Sequence, residues 1–314
     1  MRRRLVATTA LLLLTGCTGG TGGAGGAGVT HHPERGQPTP ATTASGTRTA
    51  PLTAPRQAAD ADDLADRLLT AERATRTASG VALSQAAFTC QVLYRQLARN
   101  PGWQPTVVAR AGELGDTVRG HLAARRSLRS VLTTLSDDLP AWRIVRPTPL
   151  ARLERVYRQA GRDHGVPWEL LAAINFVETG FGKIRGLSSA GAQGPMQFMP
   201  ATWAAYGEGD VNDPEDAVHA AARYLAARGG SPFDAQRALW AYNQHTGYVE
   251  GVQAYATLLQ RDPGALRGLH QWQILYLSAR GDIWLPVGYH APERVRIDDY
   301  LRRHPTRQLG SDTR

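Results

Sequence analysis

Glu178 is the residue of this 314-residue chain whose setting departs most from that of an ordinary surface carboxylate. It closes an apolar run, Trp168 to Val177, and is followed by Thr179-Gly180-Phe181-Gly182. Leu170, Ile174 and Val177 recur at helical spacing, so the run predicts a helix that stops at Thr179-Gly180. A carboxyl at that end faces the negative pole of the helix dipole, and its apolar neighbours desolvate it. Both effects favour the protonated form. An acid still protonated near neutral pH can give its proton to a leaving oxygen. Downstream lies a turn-rich stretch, Ser188 through Trp203, whose path two glycines and two prolines fix. Met196 and Gln197 within it pair an apolar surface with an amide, which suits the face and polar edge of an N-acetylated sugar. Ala241-Tyr242-Asn243 ends a further helical run. Its phenol and carboxamide are placed to orient Glu178 and to hold an acetamido group.

The elements that must position these groups read as helices. Leu150, Leu153, Val156, Tyr157 and Ala160 form one stripe, ended by Gly161. Val166-Pro167 opens the helix that carries Glu178. Asp213-Pro214 reads as an N-cap followed by Pro at the first helical position. Val218, Ala222 and Leu225 line that helix, and Gly229-Gly230 ends it. Further helices are predicted from Asp234 to Tyr242 and from about Tyr248 to Leu259. Strand signals are sparse, so the fold class is all-α. Upstream, 60–146 reads as a helical arm of three helices. The first follows Asp60–Asp63, the second spans Leu83 to Leu97, and the third runs from near Pro105 to Leu135. Asn100-Pro101-Gly102 and Pro147-Thr148-Pro149 are the breaks. Cys90 sits in the second helix as a buried thiol.

Glu178 at a helix end, then Ser188 through Thr202, then Ala241 to Asn243, together resemble the lytic transglycosylases of the lysozyme-like superfamily. The family pattern is a helix ending in Glu, then S-x-x-G-A-x-G-x-M-Q-x-M-P-x-T, then A-Y-N. The resemblance covers about 150–260. It implies that Glu178 protonates the oxygen between N-acetylmuramic acid and N-acetylglucosamine in peptidoglycan glycan strands. The substrate's acetamido group supports the cationic centre, and Glu178 then accepts the C6 hydroxyl proton to leave a 1,6-anhydro end. Ser188 is implied to bond near Glu178 or the substrate, and Met196 and Gln197 to line the cleft. Tyr242 is implied to contact Glu178, and Asn243 to brace the loop or the sugar. One departure stands out. Soluble-type members usually have Ser after the Glu, whereas Thr179 is closer to the membrane-bound B-type, although the G-x-M-Q and A-Y-N elements look soluble-type.

No second carboxylate is called for, in contrast to two-carboxylate glycosidases. Asp210 and Asp213 are the nearest acids, and Asp213 reads as a helix cap. Two other readings stay open. One is a hydrolytic muramidase, and the other is a non-catalytic peptidoglycan-binding lipoprotein, against which the presence of Glu178 argues. No cofactor or metal is implied: His164, His219, His245 and His270 show no ligand grouping, and Glu208 to Asp213 lacks a calcium loop. Trp240, Trp272 and Trp284 could stack on sugar, but core packing is the commoner use.

The first residues read as an address. Arg2–Arg4 precede an apolar run from Leu5 to Leu14 that is too short to span a bilayer. Leu14-Thr15-Gly16-Cys17 resembles the lipobox of bacterial lipoproteins. That implies a signal peptide over 1–16, lipidation of Cys17, and anchorage at the outer, extracytoplasmic face of the cell membrane. The Gly/Thr/Ala-rich and then Pro/Thr/Ala-rich stretch 17–59 reads as a disordered tether. The compact transglycosylase-like domain is expected over 147–290 and a charged tail over 291–314. The net charge of +9 is carried almost wholly by arginine, with Lys183 the only lysine. Without zinc spacing or an RNA-binding signature it does not indicate nucleic acid. It suits an anionic wall or membrane equally well. No protein partner is identified.

Overall fold

Residues 52–310 are described by a computed structural model of the chain. Asp60 accepts the backbone N–H of Asp63 and opens α1 (Ala61–Thr77), whose Leu64, Leu68 and Leu69 are buried. α2 (Gly80–Arg99) follows and stops at Asn100-Pro101 as its sequence predicts. The single third helix expected over 105–135 is instead two, α3 (Gln104–Arg110) and α4 (Gly115–Ser130). The break falls at Gly112, which takes the left-handed conformation at φ 54°.

α5 (Leu150–His164) packs on α6 (Trp168–Thr179), the helix that carries Glu178. α5 runs past Gly161 and ends at the left-handed Gly165. Gly161 serves packing, because a Cβ there would lie 2.7 Å from the Val166 carbonyl oxygen. After it come α7 (Pro200–Tyr206), α8 (Pro214–Gly229), α9 (Ala235–Tyr242), α10 (Thr246–Arg261) and α11 (Ala265–Gln271). Asp213 caps α8 by accepting from the N–H groups of Glu215 and Asp216, which assigns that carboxylate to the helix start. Asp213→Ala is expected to cost about 1 kcal/mol of stability, measured by urea unfolding.

Short antiparallel ribbons complete this mostly helical fold. β1 (Asp138–Leu139) pairs with β6 (Val295–Arg296), β2 (Arg143–Ile144) with β3 (Ile184–Arg185), and β4 (Ile274–Ser278) with β5 (Gly281–Leu285). Periodicity misses them because a two-residue strand has no period, and the fully buried β4 and β5 do not alternate. α12 (Ile297–Arg303) buries Ile297 and Tyr300 in a core shared with Trp142 and Ile283. The stretch expected to be a tail is therefore folded as far as residue 310.

The arm is not a separate body. Leu93, Tyr94, Leu122 and Leu128 share one hydrophobic core with Phe176, Tyr255, Leu259 and Trp272. His121 of α4 stacks on both Tyr94 and Trp272, with ring centroids 4.3 and 5.2 Å away. The apolar stripes of the three predicted arm helices do not show this partner, since an apolar face does not say what covers it. Cys90 is a buried free thiol, and burial pushes its pKa well up. Cys17 and the predicted signal and most of the tether lie outside the described residues. Among the described residues, no helix is long and apolar enough to cross a membrane.

Candidate active site

α6 delivers Glu178 to a sealed position. Ten of its twelve residues are buried, and Glu178 itself is 0% exposed. Gly180 takes φ 59° and returns the chain, its N–H bonding the Phe176 carbonyl at 2.9 Å. Glu178 Oε1 accepts a hydrogen bond of 2.7 Å from the Tyr248 hydroxyl, at the start of α10. Oε2 is buried and accepts from nothing among the described residues. Desolvation pushes the Glu178 pKa up to about 8, against a smaller downward pull from Tyr248. The protonated form expected from the helix end is thus present, and burial is its main cause.

The loop carrying Met196 and Gln197 is fastened to α6 at one atom. The Pro195 carbonyl accepts from Thr179 Oγ1 at 2.6 Å and from Asn175 Nδ2 at 2.8 Å. Asn175 Oδ1 in turn accepts from the Tyr157 hydroxyl at 2.6 Å. Thr179 Oγ1 also accepts the N–H of Gly182 at 3.0 Å, so its hydroxyl is used in both directions. Ser could make the same bonds, which gives a physical reason why either residue can follow the Glu. Thr179→Ser is expected to be nearly neutral in thermal unfolding. Thr179→Val should lose about 1–2 kcal/mol by leaving the Gly182 N–H buried and unpaired.

Gly194 adopts φ 73°, and a Cβ there would meet the Val211 carbonyl oxygen at 2.0 Å, so no side chain fits. Gln197 sits at φ 51°, a left-handed conformation rare outside glycine. Its Nε2 donates to the Gly194 carbonyl at 2.8 Å, and its buried Oε1 accepts from nothing among the described residues. A strained residue holding a spare acceptor is what a binding loop requires. Among the described residues Phe181, at φ 66°, is the other left-handed non-glycine residue, in the turn that follows Glu178. Lys183, buried and pushed down to about 7 by desolvation, pins this turn by donating to the His270 carbonyl at 2.6 Å.

Glu178, Met196 and Gln197 meet through the Pro195 anchor and are all buried. Ser188 does not reach Glu178. Its Oγ accepts the N–H groups of Ala190 and Ala192 at 3.2 and 2.9 Å and so shapes its own loop. The expected Tyr242 contact is also corrected: its hydroxyl donates to the Met196 carbonyl at 2.5 Å, while Tyr248 bonds Glu178. The two phenol rings are parallel, with centroids 6.4 Å apart, so Tyr242 backs Tyr248. Asn243 is buried at the C-cap of α9, where its carbonyl accepts from His245 N at 2.8 Å. The sequence places Tyr248 at the start of a predicted helix but carries no signal that this phenol, and not Tyr242, reaches Glu178. Trp272 and Trp284 pack in the core, and Trp240 is exposed.

A helical domain built around one desolvated, phenol-bonded carboxyl, with an amide-bearing loop fastened to the same helix, belongs to the lysozyme-like class. Residues 155–261 match the transglycosylase SLT domain. A membrane-bound lytic murein transglycosylase F of Thiobacillus denitrificans is 31% identical over 169 residues, which are 51% of this chain and 35% of the relative. Proteins of the same name from Stutzerimonas stutzeri and Alcanivorax borkumensis are 30% and 29% identical. They share 36% and 48% of this chain with 25% and 31% of their own. The chain thus spans about a third or less of the length of these relatives. No solved structure matches significantly.

Proposed function

We propose that the chain is a peptidoglycan lytic transglycosylase with Glu178 as its single acid/base. The observation that carries this reading is a fully desolvated carboxyl whose pKa is set by burial and by Tyr248, with no second carboxylate among the described residues acting on it. Oε2 donates its proton to the glycosidic oxygen between N-acetylmuramic acid and N-acetylglucosamine, and the C1–O bond breaks. The neighbouring acetamido oxygen supports the cationic C1. The carboxylate then takes the C6 hydroxyl proton as the C6 oxygen bonds to C1, which restores the acid and adds no water. Gln197 Oε1 offers its spare lone pairs to a substrate N–H or O–H, and Met196 and Asn243 complete the floor. Glu178 is covered in this conformation, so strand binding requires its cover to part.

The anchor belongs to the same proposal. Acylated Cys17 would hold the domain at the outer face of the membrane, with the following tether giving reach to the wall.

Mass spectrometry of purified peptidoglycan digested by the full chain tests the reaction. Muropeptides ending in 1,6-anhydro-N-acetylmuramic acid are expected. Reducing ends heavier by one water would replace this reading with a muramidase, and undigested peptidoglycan would leave only a binding role.

A further inference from the structure

Behind the Glu178 helix lies a cavity of about 50 Å³, between the arm helices and the catalytic core. α2 contributes Arg95, α4 contributes Arg125, and Tyr255 and Trp272 close it from α10 and from the end of α11. Phe176, Val177 and Gly180 form the α6 wall. At 100° per residue these three share one side of the helix end, and Glu178 projects from the other. The cavity is therefore distinct from the site already described and shares with it a single turn of backbone.

Its charge is unbalanced. Arg95 and Arg99 both pair with Asp282. Arg125 makes no hydrogen bond or ion pair with any described residue, and its Nε is sealed from solvent. Desolvation and the nearby Arg95 charge press its pKa down to about 9, so it remains cationic at neutral pH. Arg125 is half-buried, with its Nε sealed and a second guanidinium beside it, so an anion in the cavity would offset both charges. Asp282, whose charge acts on it, is already bonded by two other arginines.

We propose that this cavity is a binding site for a small carboxylate with a short apolar tail, held by Arg125 with Arg95 behind it. Water needs at least about 10–15 Å³ of such volume, so the space takes about four water-sized groups, the size of acetate or propionate. The walls are mostly apolar: Leu128, Ile274 and Leu275 would face the tail. The fork of Arg125 is matched to a planar carboxylate. Bound there, the anion would tie α4 to the turn that ends at Glu178 and make the arm part of the catalytic domain's control.

The test reads binding and not wall cleavage, so it succeeds or fails independently of the proposed activity. Thermal unfolding of the full chain is followed in sodium acetate, sodium propionate, sodium phosphate and sodium chloride at matched ionic strength. Acetate and propionate should raise Tm saturably above the chloride control. In Arg125→Gln the apparent Kd should weaken roughly tenfold or more, as expected for loss of a charge-assisted pair. A shift equal to that in chloride, or one retained in Arg125→Gln, overturns the site, and a larger shift in phosphate overturns the ligand class. Should Arg125→Gln not fold, line broadening of ¹³C-acetate by the unaltered chain decides. Broadening reversed by propionate supports the site, and its absence or insensitivity to propionate overturns it.

Discussion

Glu178→Gln should abolish peptidoglycan cleavage, with a fall of about 10²–10⁴-fold or more in kcat, while leaving the protein folded and more stable. The amide cannot donate an acidic proton, yet its carbonyl still accepts from Tyr248, whose hydroxyl lies 2.7 Å from Oε1. The stability gain follows from linkage. In the folded chain Glu178 holds its proton up to about 8, whereas the unfolded carboxyl releases it near 4.5. Its folded pKa is raised, so the favourable contribution is complete below 4.5 and is lost as pH rises through about 8. The amide does not titrate and escapes that loss. The Tm of Glu178→Gln should match the wild type near pH 4.5 and exceed it increasingly towards pH 8, by a few kcal/mol in stability at most. Unfolding curves at a series of pH values check this. A variant equally stable relative to wild type at every pH would mean that the carboxyl is not desolvated, and the account of its acidity would fail with it. The same pKa sets the alkaline limb of activity, which should fall through about pH 8 as the donor proton is lost.

Much of this site can be read in the sequence because its parts are local. A helix ending in Glu followed by Thr-Gly is a pattern of consecutive residues, and the left-handed Gly180 that ends α6 is where the pattern puts it. The Asp213 cap and the Pro-led start of α8 are likewise local. The contacts that complete the site are not. Tyr248 and Glu178 are 70 residues apart, and nothing in the chain between them distinguishes that phenol from Tyr242. The choice is made by packing, since α9 ends at Tyr242 and the α10 start brings Tyr248 back over α6. Ser188 does not reach Glu178 for a related reason. A Ser next to Gly-rich turns satisfies its own loop before it reaches any distant group. The arm's union with the catalytic core is invisible for the same cause, because Leu128 and Tyr255 each report only an apolar face.

Tyr248→Phe separates the roles of the two stacked phenols. Once Glu178 has given up its proton, a carboxylate stands in a desolvated site and the Tyr248 hydroxyl is its protein donor. That bond strengthens as the negative charge develops, so it favours the transition state over the resting acid. Its removal should lower kcat by roughly 10–100-fold with little change in KM, an effect the size of one charge-assisted hydrogen bond. The bond also holds the Glu178 pKa down against burial, so the alkaline limb should move above its wild-type position near pH 8. Tyr242→Phe breaks a different bond, the 2.5 Å donation to the Met196 carbonyl. It loosens the loop that carries Gln197 and should raise KM, but the pH at which activity falls should stay where it was. A phenol that merely fills space would lower activity without shifting the pH limb. If Tyr242→Phe moves that limb and Tyr248→Phe does not, then the proton is governed by the residue expected from the motif, and the hydrogen-bond geometry around Glu178 changes when substrate enters.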